Sequence, residues 1–231
     1  YVTLEGAGAS TILRQATDKI SVLINRDDSN ERITIKNMVI DGAGLNSPEK
    51  PDKGILHLRR PVSCSVENVI IVNADWGVRL DGETGEVKSY STLHNVQVID
   101  SKDKAFTLRL IDHVALSDCV AKGSKEREGF WGSDADFVTL TNCHAFNNRG
   151  TGFQPSYGSE HWTFSSCIAR ENGASGFCML EADEGHHTLT SCLAEGNNTS
   201  GQYAQDGGFR CLLSKVSFNG CYARNNNGSG L

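Results

Sequence analysis

The segment LTNCHAFNNRGTGF at residues 140–153 is followed, 24 residues later, by FSSCIARENGASGF at residues 164–177. Internal repetition at a fixed period is typical of a solenoid, so this stretch decides the fold class. Five repeats carry a cysteine at the same position, separated by steps of 24, 24, 25 and 29 residues: Cys119, Cys143, Cys167, Cys192 and Cys221. Three earlier repeats carry Met38, Val69 and Val96 there, so about eight repeats cover the chain.

Each repeat has the residue pattern of short β-strands. Apolar residues alternate, as in Val138 and Leu140 and then Cys143 and Ala145, which is the period of a strand. A second strand follows in each repeat, usually marked by Gly and a large apolar residue, in WGVRL, KAFTL, EGFWG, TGFQP, SGFCM and GGFRC. This spacing leaves no room for helices between strands, and a β-sandwich would not impose a constant period. The sequence therefore predicts an all-β fold, a single-stranded right-handed parallel β-helix of about eight coils, forming one domain over residues 1–231.

Stacked coils place equivalent side chains about 4.8 Å apart, so each repeated position becomes a column along the β-helix. The cysteine column is predicted to point inward and to consist of free thiols, because parallel Cβ vectors suit disulfides poorly and no C-x-x-C pair exists for zinc. The asparagines that follow each cysteine are predicted to form turn ladders, since asparagine tolerates left-handed backbone. They are Asn147, Asn148, Asn172, Asn197, Asn198, Asn225 and Asn226.

Composition excludes some classes of partner. The net charge is -6 and the isoelectric point is near 5.6, with no cluster of Lys and Arg among aromatics, which argues against nucleic acid. No segment approaches the roughly 18 consecutive apolar residues of a membrane helix, so no membrane partner is expected. Neither end of the chain carries a polar cap. We therefore expect either a fragment of a longer chain, with flanking domains over the ends of the β-helix, or a homo-oligomer that covers them.

The repeats resemble a known superfamily. The similarity is to pectate-lyase-like proteins, and within them the residue pattern is most like that of mannuronan C5-epimerases and alginate lyases. It is carried by VTLEGAGASTIL at residues 2–13, by the strands around the cysteines and by the Gly-Phe strands. The resemblance implies the β-helix, a polysaccharide partner and an extracellular or periplasmic location. Those epimerases carry a motif of the type Tyr-Gly-Phe-Asp-Pro-His. The nearest segments here are TGFQPS at 151–156, where Gln154 and Ser156 replace the acid and the histidine, and WGVRLD at 76–81, so the motif itself is absent.

Strict alternation in the Gly-Phe strands predicts an exposed basic groove. With the large apolar residue inward, the outward residues are Arg79, Asp81, Thr107, Arg109, Trp131, Ser133, Gln154, Ser156, Cys178 and Arg210, and with Leu56 inward they include His57 and Arg59. Arginine binds carboxylates through two parallel hydrogen bonds, and an indole face supports a sugar ring, so this groove suits a polyuronate chain.

The chemistry expected on a polyuronate is removal of the proton next to the uronate carboxyl group. Arg79 or Arg109 could neutralise that carboxylate, and His57, or an arginine with a lowered pKa, could accept the proton. Asp81 is assigned to the same catalytic group, while Arg59, Trp131, Gln154 and Arg210 are assigned to substrate binding. The alternative is that Arg79, Asp81 and Arg109 form a surface ion-pair ladder of little energetic consequence.

Acidic residues suggest a second site. Asp134 and Asp136, and further on Glu181 and Asp183, alternate so that each pair shares one side of a strand, which would suit Ca²⁺ or the paired carboxylates of a glycoside hydrolase. The alternative is that such residues only stabilise turns. The same bend of successive coils carries a similar pair of residues each time, namely Asp112-His113, Asp136-Phe137, Glu160-His161 and His186-His187. For His113, His161, His186 and His187 the structural interpretation is favoured.

Three function classes follow from these patterns. The first is a polysaccharide lyase or epimerase that uses the basic groove. The second is a glycoside hydrolase that uses Asp134 or Asp136 with Glu181 or Asp183. The third is a noncatalytic carbohydrate-binding or tailspike-like scaffold, because a β-helix makes a rigid stalk.

Overall fold

The computed structural model describes residues 1–25, 31–48, 53–82, 87–179, 185–201, 206–212 and 215–228. Within these ranges the chain forms short strands, and the one helical element is a single 3-10 turn at Gly8–Ser10. The described residues contain no helix with the length and apolar character needed to cross a bilayer. The strands, numbered along the chain, are β1 Val2–Glu5, β2 Ile12–Arg14, β3 Leu23–Asn25, β4 Ile33–Asp41, β5 Leu56–Arg59, β6 Ser65–Val72, β7 Val78–Asp81, β8 Val87–Ile99, β9 Phe106–Arg109, β10 Ile111–Ser117, β11 Val120–Lys122, β12 Phe130–Ser133, β13 Thr139–Thr141, β14 His144–Phe146, β15 Phe153–Ser156, β16 Thr163–Ser165, β17 Ile168–Arg170, β18 Phe177–Met179, β19 His187–Thr190, β20 Leu193–Glu195, β21 Phe209–Cys211, β22 Val216–Asn219 and β23 Tyr222–Arg224.

The strands pair in parallel into two sheets, as expected when each coil stacks on the one before. An eight-stranded sheet has the order β21-β18-β15-β12-β9-β7-β5-β3. A 15-stranded sheet is centred on β8, which pairs with β10 along its first part and with β11 along its second. Asn37, Asn68 and Asn95 hold left-handed backbone within β4, β6 and β8, and from Asp118 onward the bend at the equivalent residue divides the strand into two. The predicted parallel β-helix of about eight coils is confirmed.

Residues with left-handed backbone form the bend within the 15-stranded sheet. Asp118, Asn142, Ser166 and Ser191 have φ between 52° and 55°, and Gly220 has φ of 61°. Short polar residues and glycine tolerate this conformation best, and each one directly precedes the cysteine position of its coil. The cysteine therefore follows a sharp change of chain direction, which places its side chain in the narrow inner corner.

The interior is built from columns of repeated residues. Five phenylalanine rings, each on a strand of the eight-stranded sheet, stack with centroids 4.5 to 5.0 Å apart and planes within 14° of parallel. The rings belong to Phe106, Phe130, Phe153, Phe177 and Phe209. Four members of the cysteine column are fully buried, and Cys221 in the last coil is half-buried. The inward direction predicted for this column is confirmed.

All eight cysteines are free thiols, as predicted for the five members of the column. The Cys143 thiol lies 3.6 Å from the carbonyl oxygen of Leu116 and 3.5 Å from that of Thr141, so a backbone acceptor is always near. The neighbouring Cys119 thiol, together with burial, raises the pKa of Cys143. The thiol therefore stays protonated and behaves as a small apolar group.

The asparagines form a ladder inside the turn between the 15-stranded and eight-stranded sheets. The Asn148 side-chain amide donates to Asn172 Oδ1 at 3.0 Å, Asn172 donates to Asn197 Oδ1 at 2.9 Å, and Asn197 donates to Asn226 Oδ1 at 2.9 Å. Each of these oxygens also accepts the backbone N–H of the preceding member. The predicted ladder is confirmed, and only Asn147, Asn198 and Asn225 of the set have left-handed backbone.

Candidate functional site: the outer face of the eight-stranded sheet

The strand register of the eight-stranded sheet aligns two outward columns. In the first, His57 pairs with Arg79, Arg79 with Thr107, and the column continues through Trp131 to Gln154. In the second, Arg59 pairs with Asp81, Asp81 with Arg109, and the column continues through Ser133 to Ser156. The predicted alignment of these side chains on one face is therefore what the structure shows.

The Asp81 carboxylate lies at the centre of an ion-pair cluster with Arg79 and Arg109. It binds Nη2 of Arg79 within the same strand, and Nη1 of Arg109 in the next coil at 3.2 Å. The Asp81 side chain is 1% exposed and that of Arg79 is 5% exposed, whereas that of Arg109 is 40% exposed. Of these two arginines, Arg109 presents its guanidinium group both to Asp81 and to solvent.

The expected exposure of this groove is wrong for the coils of β5 and β7, and also for Thr107, Ser133 and Ser156, which are buried. His57, Arg79 and Asp81 are all buried, although they lie on the outward side of the sheet. Burial of charge is tolerated because the Asp81 carboxylate is shared by two guanidinium groups, which compensates part of the cost of removing each from water. The cluster is thus an ion-pair ladder, as the alternative proposed, but a buried one.

Aromatic side chains continue the face beyond Arg109. The Trp131 ring, half-buried, packs edge-on against the exposed ring of Tyr157, with centroids 6.3 Å apart. Lys104 lies between two indoles, with Nζ 4.8 Å from the Trp131 ring centre and 5.0 Å from that of Trp76. Its ammonium group also lies 3.5 Å from a carboxylate oxygen of Glu128. The indole of Trp131 is therefore held in place by a cation on one side and by an aromatic edge on another.

Lys104, Tyr157 and Trp76 were not assigned to the site from sequence. Each lies outside the strictly alternating positions of its strand, at the turn before or after it. Trp76 and Tyr157 could have been found from the sequence, because each is an aromatic residue next to one of the repeated strands, in ADWGV and QPSYG.

The other residues assigned to substrate binding lie at different distances from the aromatic pair. Gln154 is half-buried, and its side-chain amide donates to the Ser156 hydroxyl at 3.0 Å, so it borders the aromatic pair. Arg210 is half-buried and pairs with Asp206 at 3.0 Å, three strands from Trp131 in the order β12-β15-β18-β21. Arg59 is half-buried beside Asp81. Cys178, expected outward, is buried, and burial raises the pKa of its thiol to about 12.

The two described acidic candidates have different surroundings. Asp134 is exposed at the end of β12 and accepts the Ser133 hydroxyl at 2.8 Å. Asp136 is half-buried, and its Oδ1 accepts the backbone N–H of Glu160 at 2.6 Å. Asp112 similarly accepts the N–H of Asp136 at 3.3 Å, which supports the turn interpretation for Asp136. Among the described residues, the one group with three possible metal ligands in reach does not contain Asp134 or Asp136. Glu181 and Asp183 lie outside the described residues, so the Ca²⁺ site stays a prediction.

The histidines at the bend between the eight-stranded and 15-stranded sheets make contacts that stabilise the fold. His113, His161 and His186 belong to an external stack of rings, which supports the structural interpretation. His187 is buried, and its Nδ1 accepts the Trp162 N–H at 3.2 Å. Burial, with the charges of His161 and His186, lowers the pKa of His187 to about 4, so this imidazole is neutral at physiological pH.

The sequence itself carries the signature of a known family. Residues 21–184 match the profile described as a right-handed β-helix region. The chain belongs to this right-handed β-helix family. Among curated proteins, none matches the sequence of this β-helix.

Solved structures similar to this β-helix are distant in sequence. The complex of XylC with xylose superimposes with a TM-score of 0.62 at 10% identity, over 88% of this chain and 36% of that chain. Pectate lyase Pel9A gives a TM-score of 0.55 at 12% identity, over 96% and 69%. The enzymatically active domain of bacteriophage CBA120 tailspike protein 2 gives 0.51 at 13% identity, over 94% and 34%. The chain thus spans about a third of the first and third of these, and the similarities show the fold.

The family match and the likeness to a pectate lyase confirm the predicted resemblance to pectate-lyase-like β-helices. What this face can do chemically follows from its own side chains. It offers the half-exposed Arg109 guanidinium group, held by the buried Asp81 carboxylate, and the aromatic pair of Trp131 and Tyr157. That combination suits a sugar ring carrying a negative charge.

Proposed function

We propose that this β-helix binds an acidic polysaccharide across the outer face of its eight-stranded sheet and acts on uronate residues by β-elimination or C5-epimerisation. The observation that carries the proposal is the placement of Arg109, half-exposed and held by the buried Asp81, one strand away from Trp131, which packs against Tyr157. A carbohydrate partner is also supported by the similar folds of a pectate lyase and of a tailspike enzymatic domain. Such a substrate would be met outside the cytoplasm, so we propose an extracellular or periplasmic location.

Arg109 would pair with the uronate carboxylate. Both reactions begin with loss of the proton on the carbon next to that carboxyl group, and negative charge then develops on the carboxyl oxygens. A guanidinium group fixed beforehand stabilises this charge without reorganising. Asp81 and Arg79 are too buried to contact a polysaccharide and are positioning residues that hold the Arg109 guanidinium. The half-buried Trp131 ring and the exposed Tyr157 ring would support the sugar ring.

The proton acceptor is expected near Arg109. His57 lies on β5, two strands away from Arg109 on β9, which is roughly 9–10 Å across the sheet. Asp134 is closer in register, because it directly follows Ser133, the residue paired with Arg109. Its carboxylate is exposed, so we take Asp134 as the acceptor and assign His57 no contact with substrate.

The test is to incubate the protein with polygalacturonate, alginate and neutral xylan. Ultraviolet absorbance of unsaturated uronate would report elimination, and proton NMR of the polymer would report epimerisation. Reducing ends without that absorbance would indicate hydrolysis and contradict the proposal. Binding measured by affinity electrophoresis without turnover of any polymer would support the noncatalytic scaffold instead.

Variants separate the roles of the side chains. Arg109→Ala should lower kcat by a factor on the order of 100 or more, because the lost interaction strengthens in the transition state. Arg170→Ala is the matched control, since Arg170 is 42% exposed and pairs with a carboxylate, but on the other sheet. Trp131→Ala should mainly raise KM, because stacking serves ground state and transition state alike. Equal activity of Arg109→Ala and the parent protein would exclude Arg109 from the reaction.

A further inference from the structure

An external stack of rings runs along the bend between the two sheets. We call it the ring column, and it consists of Tyr90, His113, Phe137, His161 and His186. Successive centroids are 4.6 to 5.0 Å apart, and every member has left-handed backbone with φ between 49° and 58°. Stacking of this kind is satisfied by a phenyl, phenol or imidazole ring. The pair formed by His161 and His186 is the step at which one imidazole lies directly on another, with planes 10° apart.

The residue before each ring is acidic in three successive coils. Asp112 and Asp136 each direct a carboxylate oxygen at the backbone N–H of the next coil, at 3.3 and 2.6 Å. Glu160 differs, because its longer side chain brings Oε2 to 3.8 Å from Nδ1 of His161. That nitrogen is enclosed by protein atoms and has no hydrogen bond among the described residues. The last carboxylate of the series thus faces the imidazoles instead of the backbone.

We propose that Glu160, His161 and His186 bind a divalent transition metal ion, Zn²⁺, that bridges two adjacent coils. One ligand atom from each residue lies within 4.8 Å of the other two. Tetrahedral zinc, with bonds of about 2.0–2.1 Å, separates its ligand atoms by roughly 3.3 Å. His186 is exposed and His161 is 41% exposed, so side-chain torsions can bring the ligands together without moving the backbone. Water would occupy the fourth position.

The ligand set selects the class of ion. Two imidazole nitrogens and one carboxylate oxygen suit Zn²⁺, Ni²⁺ or Cu²⁺, whereas Ca²⁺ and Mg²⁺ prefer sites made of oxygen alone. His187 does not join the site through Nδ1, because that atom accepts the Trp162 N–H. The site would tie the coil of β16 to the coil of β19 at a point where each otherwise relies on ring stacking and backbone pairing.

The experiment is calorimetric titration of Zn²⁺ into the whole chain after dialysis against a chelator, with Ca²⁺ as a second titrant. Phenylalanine occurs naturally in the ring column as Phe137, so His161→Phe and His186→Phe should keep the stack and remove a ligand. His113→Phe is the matched control, being a stacked histidine outside the proposed site. Glu160→Gln keeps the size of the side chain and removes its charge.

The parent protein should bind one Zn²⁺ per chain, and His113→Phe should bind it equally well. His161→Phe and His186→Phe should weaken binding by about tenfold or more, Glu160→Gln should weaken it less, and Ca²⁺ should not bind at this site. Zinc should raise the unfolding temperature of the parent but not of His186→Phe. If His186→Phe does not fold, His186→Tyr replaces it, since Tyr90 occupies the same column.

All variants keep the eight cysteines, which controls for binding by thiols. Unchanged zinc affinity in both His161→Phe and His186→Phe would place the ion elsewhere and overturn the proposal. Absence of saturable zinc binding to the parent would overturn it as well. Neither result depends on activity toward a polysaccharide, so the inference stands or falls separately from the proposed function.

Discussion

Two clusters in this β-helix share one design, a carboxylate held between two arginines, but they differ in burial. On the eight-stranded sheet, Asp81 lies between Arg79 and Arg109, and its side chain is 1% exposed. On the 15-stranded sheet, Glu195 lies between Arg170 and Arg224, with contacts of 2.7 and 2.8 Å and far more exposure. Exposed ion pairs contribute little to stability, whereas a buried carboxylate costs free energy unless its partners remain. We infer that the buried cluster serves to position Arg109, and that the exposed cluster is a feature of a solvated surface.

The largest expected effect is on the buried cluster. Asp81→Asn leaves the buried Arg79 guanidinium without its counter-charge and should reduce the free energy of unfolding by about 3–5 kcal/mol. Urea unfolding measures this, and Glu195→Gln is the control, with a midpoint expected close to that of the parent. Equal shifts of the urea midpoint in Asp81→Asn and Glu195→Gln would contradict the inferred difference between the buried and the exposed cluster.

Replacing the buried pair with apolar residues sharpens the comparison. Arg79→Met combined with Asp81→Leu removes both buried charges, and Arg109 can turn toward water. Such replacements are often neutral or stabilising, so this double variant should regain most of the stability that Asp81→Asn loses. The kcat on the acidic polysaccharide should nevertheless fall, as expected for Arg109→Ala, because Arg109 is no longer held. A double variant with the kcat of the parent would show that the cluster does not position Arg109 for the reaction.

Substitutions in the uncharged cysteine column should change the free energy of unfolding by an amount between those expected for the two ion-pair clusters. Cys143→Ser places a more strongly polar hydroxyl in an apolar corner and should cost about 1–3 kcal/mol in free energy of unfolding. Cys143→Ala should cost less, since it leaves only a small cavity. If the serine variant unfolds at the same urea concentration as the parent, the column contributes nothing to the core.

The smallest expected effect is the pH dependence of the exposed cluster. Hydrogen bonding from Arg224, with the charge of Arg170, holds the pKa of Glu195 below its ordinary value of 4.5. A lowered folded-state pKa stabilises the fold above that ordinary value, and the contribution is lost as the pH falls through the folded-state value. The small difference in urea midpoint between the parent and Glu195→Gln should therefore shrink from pH 7 to pH 3, and also in 1 M salt at pH 7. A difference that grows on acidification would contradict this sign.

The sequence predicted the columns because repetition and alternation determine which side of a strand each residue occupies. Cys143 and Phe153 could be placed inward on that ground, and Arg79 and Asp81 on the outward side. Alternation does not show what lies above the outward side, so the burial of His57 and Arg79 could not be foreseen. Asp136 and Glu160 hold equivalent positions, but the side chain of Glu160 is longer and the ring that follows it is an imidazole instead of a phenyl group.

Equal steps of 24 residues separate Cys119, Cys143 and Cys167, which makes the coils in this part of the β-helix interchangeable. Cys143 and Cys167 are 24 residues apart, so a chain lacking residues 144–167 would bring Phe177 onto Phe130 and Asn172 into the place of Asn148. The interior of such a shortened protein would keep every column in register, while its surface would lose Gln154, Tyr157, Glu160 and His161 together. Whole surface features can therefore be exchanged one coil at a time, whereas insertion of one residue within a strand would turn the rest of that strand inside out.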